Sequence, residues 1–282
     1  MKTEIRDQKS AVRRSILLVV LLVLGNSVHA QTIVLTTGQK IDALGVRREG
    51  DMVLCKVQIG TGSGEVGYHI PQIAKIEFPE PRGLKEASDL LGQGHADKAL
   101  AEINQVVAFY QPFKEVPGAW WAQAALIKVS ALGALQRDTE AELLAAQIEK
   151  SVANPETARA ARLRLATGLI RRQEFEKAAK ICDGAIKEST EPEVLAEAWT
   201  KKGDLLFAQR KWDEALIAYL HVSVFYRDEK PFIPAALLGS ARSYQRLDET
   251  DRAKKALTEL LTTFPKSAEA TVAQTEIQKL EK

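Results

Sequence analysis

The sequence predicts a mainly α chain: a helical solenoid of about five helix pairs plus a capping helix over residues 82–282, behind a small β-barrel-like domain at 31–81 and a leader at 1–30. Three observations predict it. Residues 32–78 fall into short β-favouring runs broken by Gly-containing turns. Past Pro81, Ala, Leu, Glu, Lys and Arg dominate with a 3.6-residue period. Within that stretch a pattern of small and bulky residues returns every 37–42 residues, the mark of a repeat array. A chain of 282 residues, 45% hydrophobic and 27% charged, can bury a sizeable core, and two Cys exclude a disulfide-dense scaffold.

The first thirty residues read as a secretory signal. Lys2, Arg6, Lys9, Arg13 and Arg14 outweigh Glu4 and Asp7. An apolar run at 16–24 follows, Gly25 and Asn26 break it, and Val28-His29-Ala30 offers a cleavage site. Such a run spans about 14 Å as a helix, short of the ~30 Å hydrocarbon core. Cleavage after Ala30 is therefore expected, with an uncleaved anchor as the alternative. No later stretch is apolar enough to span a membrane. The whole chain nets +2, but without the leader it nets −1, so counterion-driven nucleic-acid binding is not expected. Export would expose thiols to oxidation. Cys55 and Cys182 are either two small buried side chains or a disulfide pair.

Strands are expected at 33–37, 41–46, 52–59, 66–70 and 73–78. In the third, Val53, Cys55, Val57 and Ile59 alternate onto one face. Gly60-Thr61-Gly62-Ser63-Gly64 reads as a hairpin loop; a phosphate cradle would open a helix and carry a Lys. Gly38-Gln39-Lys40-Ile41 and Ile73-Ala74-Lys75-Ile76 give these fifty residues a pattern that resembles SH3-like or Sm-like half-open barrels. The RNA binding of Sm proteins is not carried over, given the neutral charge.

In the helical region Trp199, Gly203, Leu206, Trp212, Ala215 and Tyr219 alternate bulky and small residues at fixed spacing. Ala166, Leu169, Phe175, Ala178, Cys182 and Ala185 repeat the pattern, as do Leu237, Ala241, Tyr244, Ala253, Leu257 and Pro265. Weaker copies surround Ala87, Leu90, Gly94, Ala99 and Ile103, and Ala141, where the turn is poor. This order resembles the tetratricopeptide (TPR) repeat, a helix-turn-helix unit in which small residues let the two helices approach and bulky ones fill the space around them. Successive key alanines, Ala99, Ala141, Ala178, Ala215 and Ala253, stand 42, 37, 37 and 38 residues apart. Those spacings exceed the family's 34-residue repeat, so longer helices or inter-repeat loops are implied, notably at 111–118 and 228–234. Ser267 is placed to cap a last helix. Phe264-Pro265-Lys266-Ser267-Ala268 is similar to envelope TPR proteins of the Tol-Pal coordinator and outer-membrane assembly types. That likeness implies a scaffolding role in the periplasm of a Gram-negative bacterium. Here, however, a β module replaces their coiled coil and no lipoprotein Cys is present.

The sequence carries none of the usual catalytic signatures. His69, His95 and His221 are far apart, and there is no H-E-x-x-H, G-x-S-x-G or Walker motif. Neither a metal nor a cofactor is expected. Trp120-Trp121 is either an exposed aromatic anchor or core and loop packing. The TPR likeness implies that first-helix side chains line a binding groove: Arg164, Arg171, Lys201, Asp204, Phe207, Arg242, Gln245 and Arg246. Five are basic, so an acidic protein or peptide segment is the expected partner. Two other readings stand beside this non-enzymatic scaffold. One is a homo-oligomeric envelope assembly through the β module. The other is an envelope polysaccharide-binding or processing subunit using Trp120-Trp121.

Overall fold

The computed structural model describes residues 31–152 and 154–280. The leader and its cleavage site lie outside the described residues.

The N-terminal part contains β1 (Gln31–Leu35), β2 (Lys40–Ala43), β3 (Gly45–Glu49), β4 (Met52–Ile59), β5 (Gly62–His69) and β6 (Ile73–Glu77). They form two antiparallel three-stranded sheets, ordered β2-β1-β6 and β3-β4-β5. Among the described residues the sheets do not close into a barrel. The expected 41–46 strand is divided at Leu44, where the chain leaves one sheet for the other and the Leu44 amide donates to the Lys56 carbonyl at 2.7 Å. The expected glycine loop is mostly strand. Only Gly60 and Thr61 turn the chain, while Gly62, Ser63 and Gly64 pair with Ile59, Gln58 and Val57. The Ile59 side chain lies over Gly64: a Cβ there would meet Ile59 Cδ1 at 2.5 Å. The expected inward face of β4 holds at Val53 and Cys55, both fully buried, and ends by Ile59, which is 60% exposed.

The helices come as five pairs and a cap. The pairs are α1 (Arg82–Gly92) with α2 (Ala96–Tyr110), α3 (Trp121–Ala134) with α4 (Asp138–Ser151), α5 (Pro155–Arg171) with α6 (Phe175–Glu188), α7 (Pro192–Ala208) with α8 (Trp212–Phe225), and α9 (Ile233–Arg246) with α10 (Thr250–Thr263). The cap is α11 (Ala268–Leu280), where Ser267 Oγ accepts from the Ala270 amide as expected. The five key alanines are all buried. The extra length falls in two places: the 17-residue helices α5 and α7, and the α2–α3 and α8–α9 connections.

One turn is used five times. The residue five before each key alanine has positive φ: Gly94, Gln136, Gln173, Arg210 and Asp248. In each turn the next amide reaches back five residues, as His95→Leu90, Arg137→Leu132, Glu174→Leu169, Lys211→Leu206 and Glu249→Tyr244. This is the Schellman arrangement, which satisfies carbonyls the helix end leaves free. The turn before Ala141, poor in sequence, has the same backbone as the other four.

The core is continuous from the sheets into the first helices. Ile33, Val53, Cys55, Ile76 and Phe78 share one apolar cluster with Ile103, Tyr110, Trp121, Leu132 and Ile148. The α2–α3 connection runs against β6: the Ile76 amide donates to the Pro117 carbonyl at 2.8 Å, and Phe78 packs on Tyr110 and Phe113 with ring centroids 5.2 and 5.5 Å apart. Arg48 adds hydrogen bonds to the Pro112 carbonyl and Glu115. Trp121 is wholly buried, its indole donating to Gln111 at 2.7 Å, and the half-buried Trp120 donates to the Phe78 carbonyl at 3.1 Å. The exposed-anchor reading of this pair gives way to packing, because the connection needs both rings to bridge sheet and helix. Cys55 and Cys182 are free thiols in separate clusters, not a disulfide. Burial pushes them up to about 11 and about 12, so neither is a ready thiolate.

Candidate binding groove

First helices of successive pairs lie side by side, α3 on α5, α5 on α7, α7 on α9 and α9 on α11. The eight residues expected to line a groove lie on α5, α7 and α9. Five of them meet near the C-terminal end. Asp204, Phe207 and Arg242, with Tyr219, Leu238 and Glu269, border a depression of about 260 Å³. Phe207, Arg242, Gln245 and Arg246, with Glu276, border a second of about 240 Å³. Phe207 and Arg242 belong to both.

Packing from below sets this geometry. Tyr219, from α8, lies against Gly203 of α7 and Gly239 of α9, and its hydroxyl donates to Asp204 at 2.9 Å. Burial, then the neighbouring Asp204 charge, pushes the phenol well above its ordinary range, so it stays a donor. Phe207 meets Trp212 edge-on at 4.8 Å, and the Arg246 guanidinium lies over the same indole at 5.3 Å. Arg242 binds Glu276 of α11 through Nε and Nη2, both at 2.8 Å. Gln245 and Glu276, which border this second depression, each bury one side-chain atom that lacks a hydrogen-bond partner, Nε2 and Oε2.

The other three residues border neither depression. Arg164 faces the buried Glu197 of α7 at 3.6 Å. Burial pushes that carboxyl up against the opposing pull of Arg164. Arg171 donates to Asp138 at 2.6 and 2.7 Å and, with Arg172, holds its carboxyl below the usual range. Lys201 lies 3.7 Å from Asp204. The basic row read from sequence is thus largely ion-paired within the chain, and the C-terminal groove carries mixed charge.

Tyr219, Glu269 and Glu276 complete the lining and were not among the groove residues read from sequence; Trp212 supports Phe207 and Arg246 from below. A signal for Glu276 existed: it lies 34 residues after Arg242, one repeat length, so α11 occupies the place of a sixth first helix.

Fold and groove together define a helical-repeat protein whose first helices lie side by side along one face. The family model described as Tetratricopeptide repeat matches residues 235–267, which span α9, α10 and the bend before α11. A search of the curated proteins finds no match. Among the described residues no group of three or more His, Cys, Asp or Glu side chains is placed to hold a metal ion, and no helix is long and apolar enough to cross a membrane.

Proposed function

We propose that the chain is a non-enzymatic scaffold of the bacterial envelope that holds a segment of a protein partner in the groove between α7, α9 and α11. A tetratricopeptide repeat supports protein–protein interaction as the general role. One observation carries the finer reading: Gln245 and Glu276 line one depression beside the apolar Phe207 ring, and each keeps a buried polar atom, a donor and an acceptor, without a partner. Unpaired buried polar groups cost free energy that an incoming polypeptide can recover. Its carbonyl answers the amide, its N–H or a cationic group answers the carboxylate, and an apolar side chain covers Phe207. An acidic partner residue would compete with Glu276 for Arg242, so binding of an acidic segment would weaken with salt. The periplasmic address rests on residues 1–30 and on the likeness of residues 264–268 to envelope TPR proteins.

Combining Phe207→Ala with Gln245→Ala tests the site. The expected result is loss of co-purified partners by about tenfold or more, with unchanged helical content. Full retention of the same partners by a folded double variant would move the binding face elsewhere.

A further inference from the structure

The helical array meets itself at one point. Its first helices, α1, α3, α5, α7, α9 and α11, follow one another side by side. The turn after α1 then touches the start of α11: a Cβ on Gly94 would lie 3.2 Å from Ala268 Cβ. A solenoid unit ordinarily touches only its neighbours, so the repeat itself does not supply a contact between the first pair and the cap. The residue at 94 answers to that contact. Gln136, Gln173, Arg210 and Asp248 hold the same left-handed turn with side chains attached, so the turn alone does not demand glycine. At Gly94 a side chain would run into Ala268, which is itself small. Little holds this seam. The Gly94 and His95 amides donate to the Leu91 and Leu90 carbonyls, and the Ala270 amide to Ser267, each within its own segment. Among the described residues no hydrogen bond or ion pair crosses from one side to the other. What remains is van der Waals contact, weak per atom pair. The cap stays anchored on the other side, through Arg242–Glu276 and the buried Ala270 and Ala273. The seam also adjoins the groove, since Glu269 borders the depression shared with Asp204 and Phe207.

We propose that the seam is a clasp: it is closed in the free chain, parts to admit an internal segment of the partner to the first-helix face, and closes behind it. A row of first helices whose two ends meet surrounds the face they share. A segment with folded chain on both sides then enters sideways through the gap between those ends, and only when they part. The movement needs no hinge, because a solenoid opens by small rotations summed over its helix-pair interfaces. The part played by the clasp rests on the groove reading; the closure of the chain on itself does not.

Scattering and cross-linking of the full chain test the closure without a partner. Gly94→Arg is expected to hold the ends apart, giving a larger radius of gyration in small-angle scattering with unchanged helical content. Arg210 occupies the equivalent turn position, so the turn itself accepts that side chain. Gly94→Cys/Ala268→Cys is expected to form an intramolecular disulfide under mild oxidation. Its two Cβ positions need to part by only a few tenths of an ångström to reach the usual span of about 3.5–4.5 Å. Gly94→Cys/Thr258→Cys is the control, and the native thiols are buried. Absence of the disulfide, or a Gly94→Arg chain as compact as the wild type, would overturn the proposal. Order of addition then reads the clasp, using the polypeptides whose capture depends on Phe207 and Gln245. Oxidation of the double variant before exposure should cut their capture at least about tenfold, and oxidation afterwards should slow their release at least about tenfold. The reduced form should behave as the wild type. A locked chain that captures and releases as the wild type does would overturn the clasp. If no polypeptide depends on Phe207 and Gln245, the groove reading fails and the clasp with it, while the closed seam is decided by the first two measurements.

Discussion

Tyr219 shows how tightly single residues are specified. A Cβ on Gly203 would lie 2.5 Å from its ring, and one on Gly239 would meet the same ring from the next repeat. Gly203→Leu is therefore expected to lower stability by about 1–3 kcal/mol through overpacking, read as a lower Tm in thermal melts. An unchanged Tm would refute the packing. The reverse effect is expected at Gln173, exposed and held at φ 61 in its turn. Gln173→Gly removes a left-handed penalty of about 1–2 kcal/mol, partly offset by glycine's extra unfolded-state freedom, and should raise stability by up to about 1 kcal/mol in denaturant titration. Asp138 sets a pH dependence. Its folded-state carboxyl is held down first by Arg171 and then by Arg172, so its stabilisation is fully present above the unfolded value of about 3.9 and is lost as pH falls below it. Asp138→Asn should flatten the decline in Tm as pH falls below about 4. At this scale the key alanines and Gly203 were legible, because close helix approach demands small side chains at fixed spacing. Arg171 as the partner of Asp138, and Glu276 as the partner of Arg242, were not. Spacing says which face a side chain is on, and the carboxylate that meets it comes from another helix.

The connection between α2 and α3 is the element on which the sheets depend. Gly118 has φ 85, and a Cβ there would clash with the Ile76 carbonyl in β6. Gly118→Ala should cost about 1–3 kcal/mol and loosen β6 from the helices, seen as faster amide exchange at Ile76, whose N–H bonds the neighbouring Pro117 carbonyl. Protection equal to wild type would show the docking to be dispensable. Element types and order were legible from periodicity, down to the long connections and the Ser267 cap. The positive φ of the common turn was legible only at Gly94, since Gln136, Gln173, Arg210 and Asp248 adopt it with no glycine to announce it. The Gly62–Gly64 stretch misled because composition marks it as loop, whereas pairing with β4 and the overlying Ile59 side chain make it strand.

Across the whole molecule two kinds of cohesion meet. From α5 onward, smaller apolar clusters pass from one helix pair to the next, as expected of a repeat array in which each unit leans on its neighbours. At the other end, sheets and helices α1–α4 share one core. That continuity could not be read from sequence: an apolar stripe shows that a face is buried, but not what buries it. The boundary drawn after residue 81 thus crosses the Phe78, Tyr110 and Phe113 contacts. The groove lies at the far end of the array, where α11 stands in for a further first helix, and its assembly from three helices and unpartnered polar atoms is the basis of the functional proposal. Site-specific photo-crosslinking tests it most directly. A photoreactive side chain at Phe207 and another at the exposed Thr258 of α10 would be compared in exported protein. The account predicts a cross-linked partner polypeptide from position 207 and none from 258. Cross-linking from 258 alone, or equally from both, would contradict it.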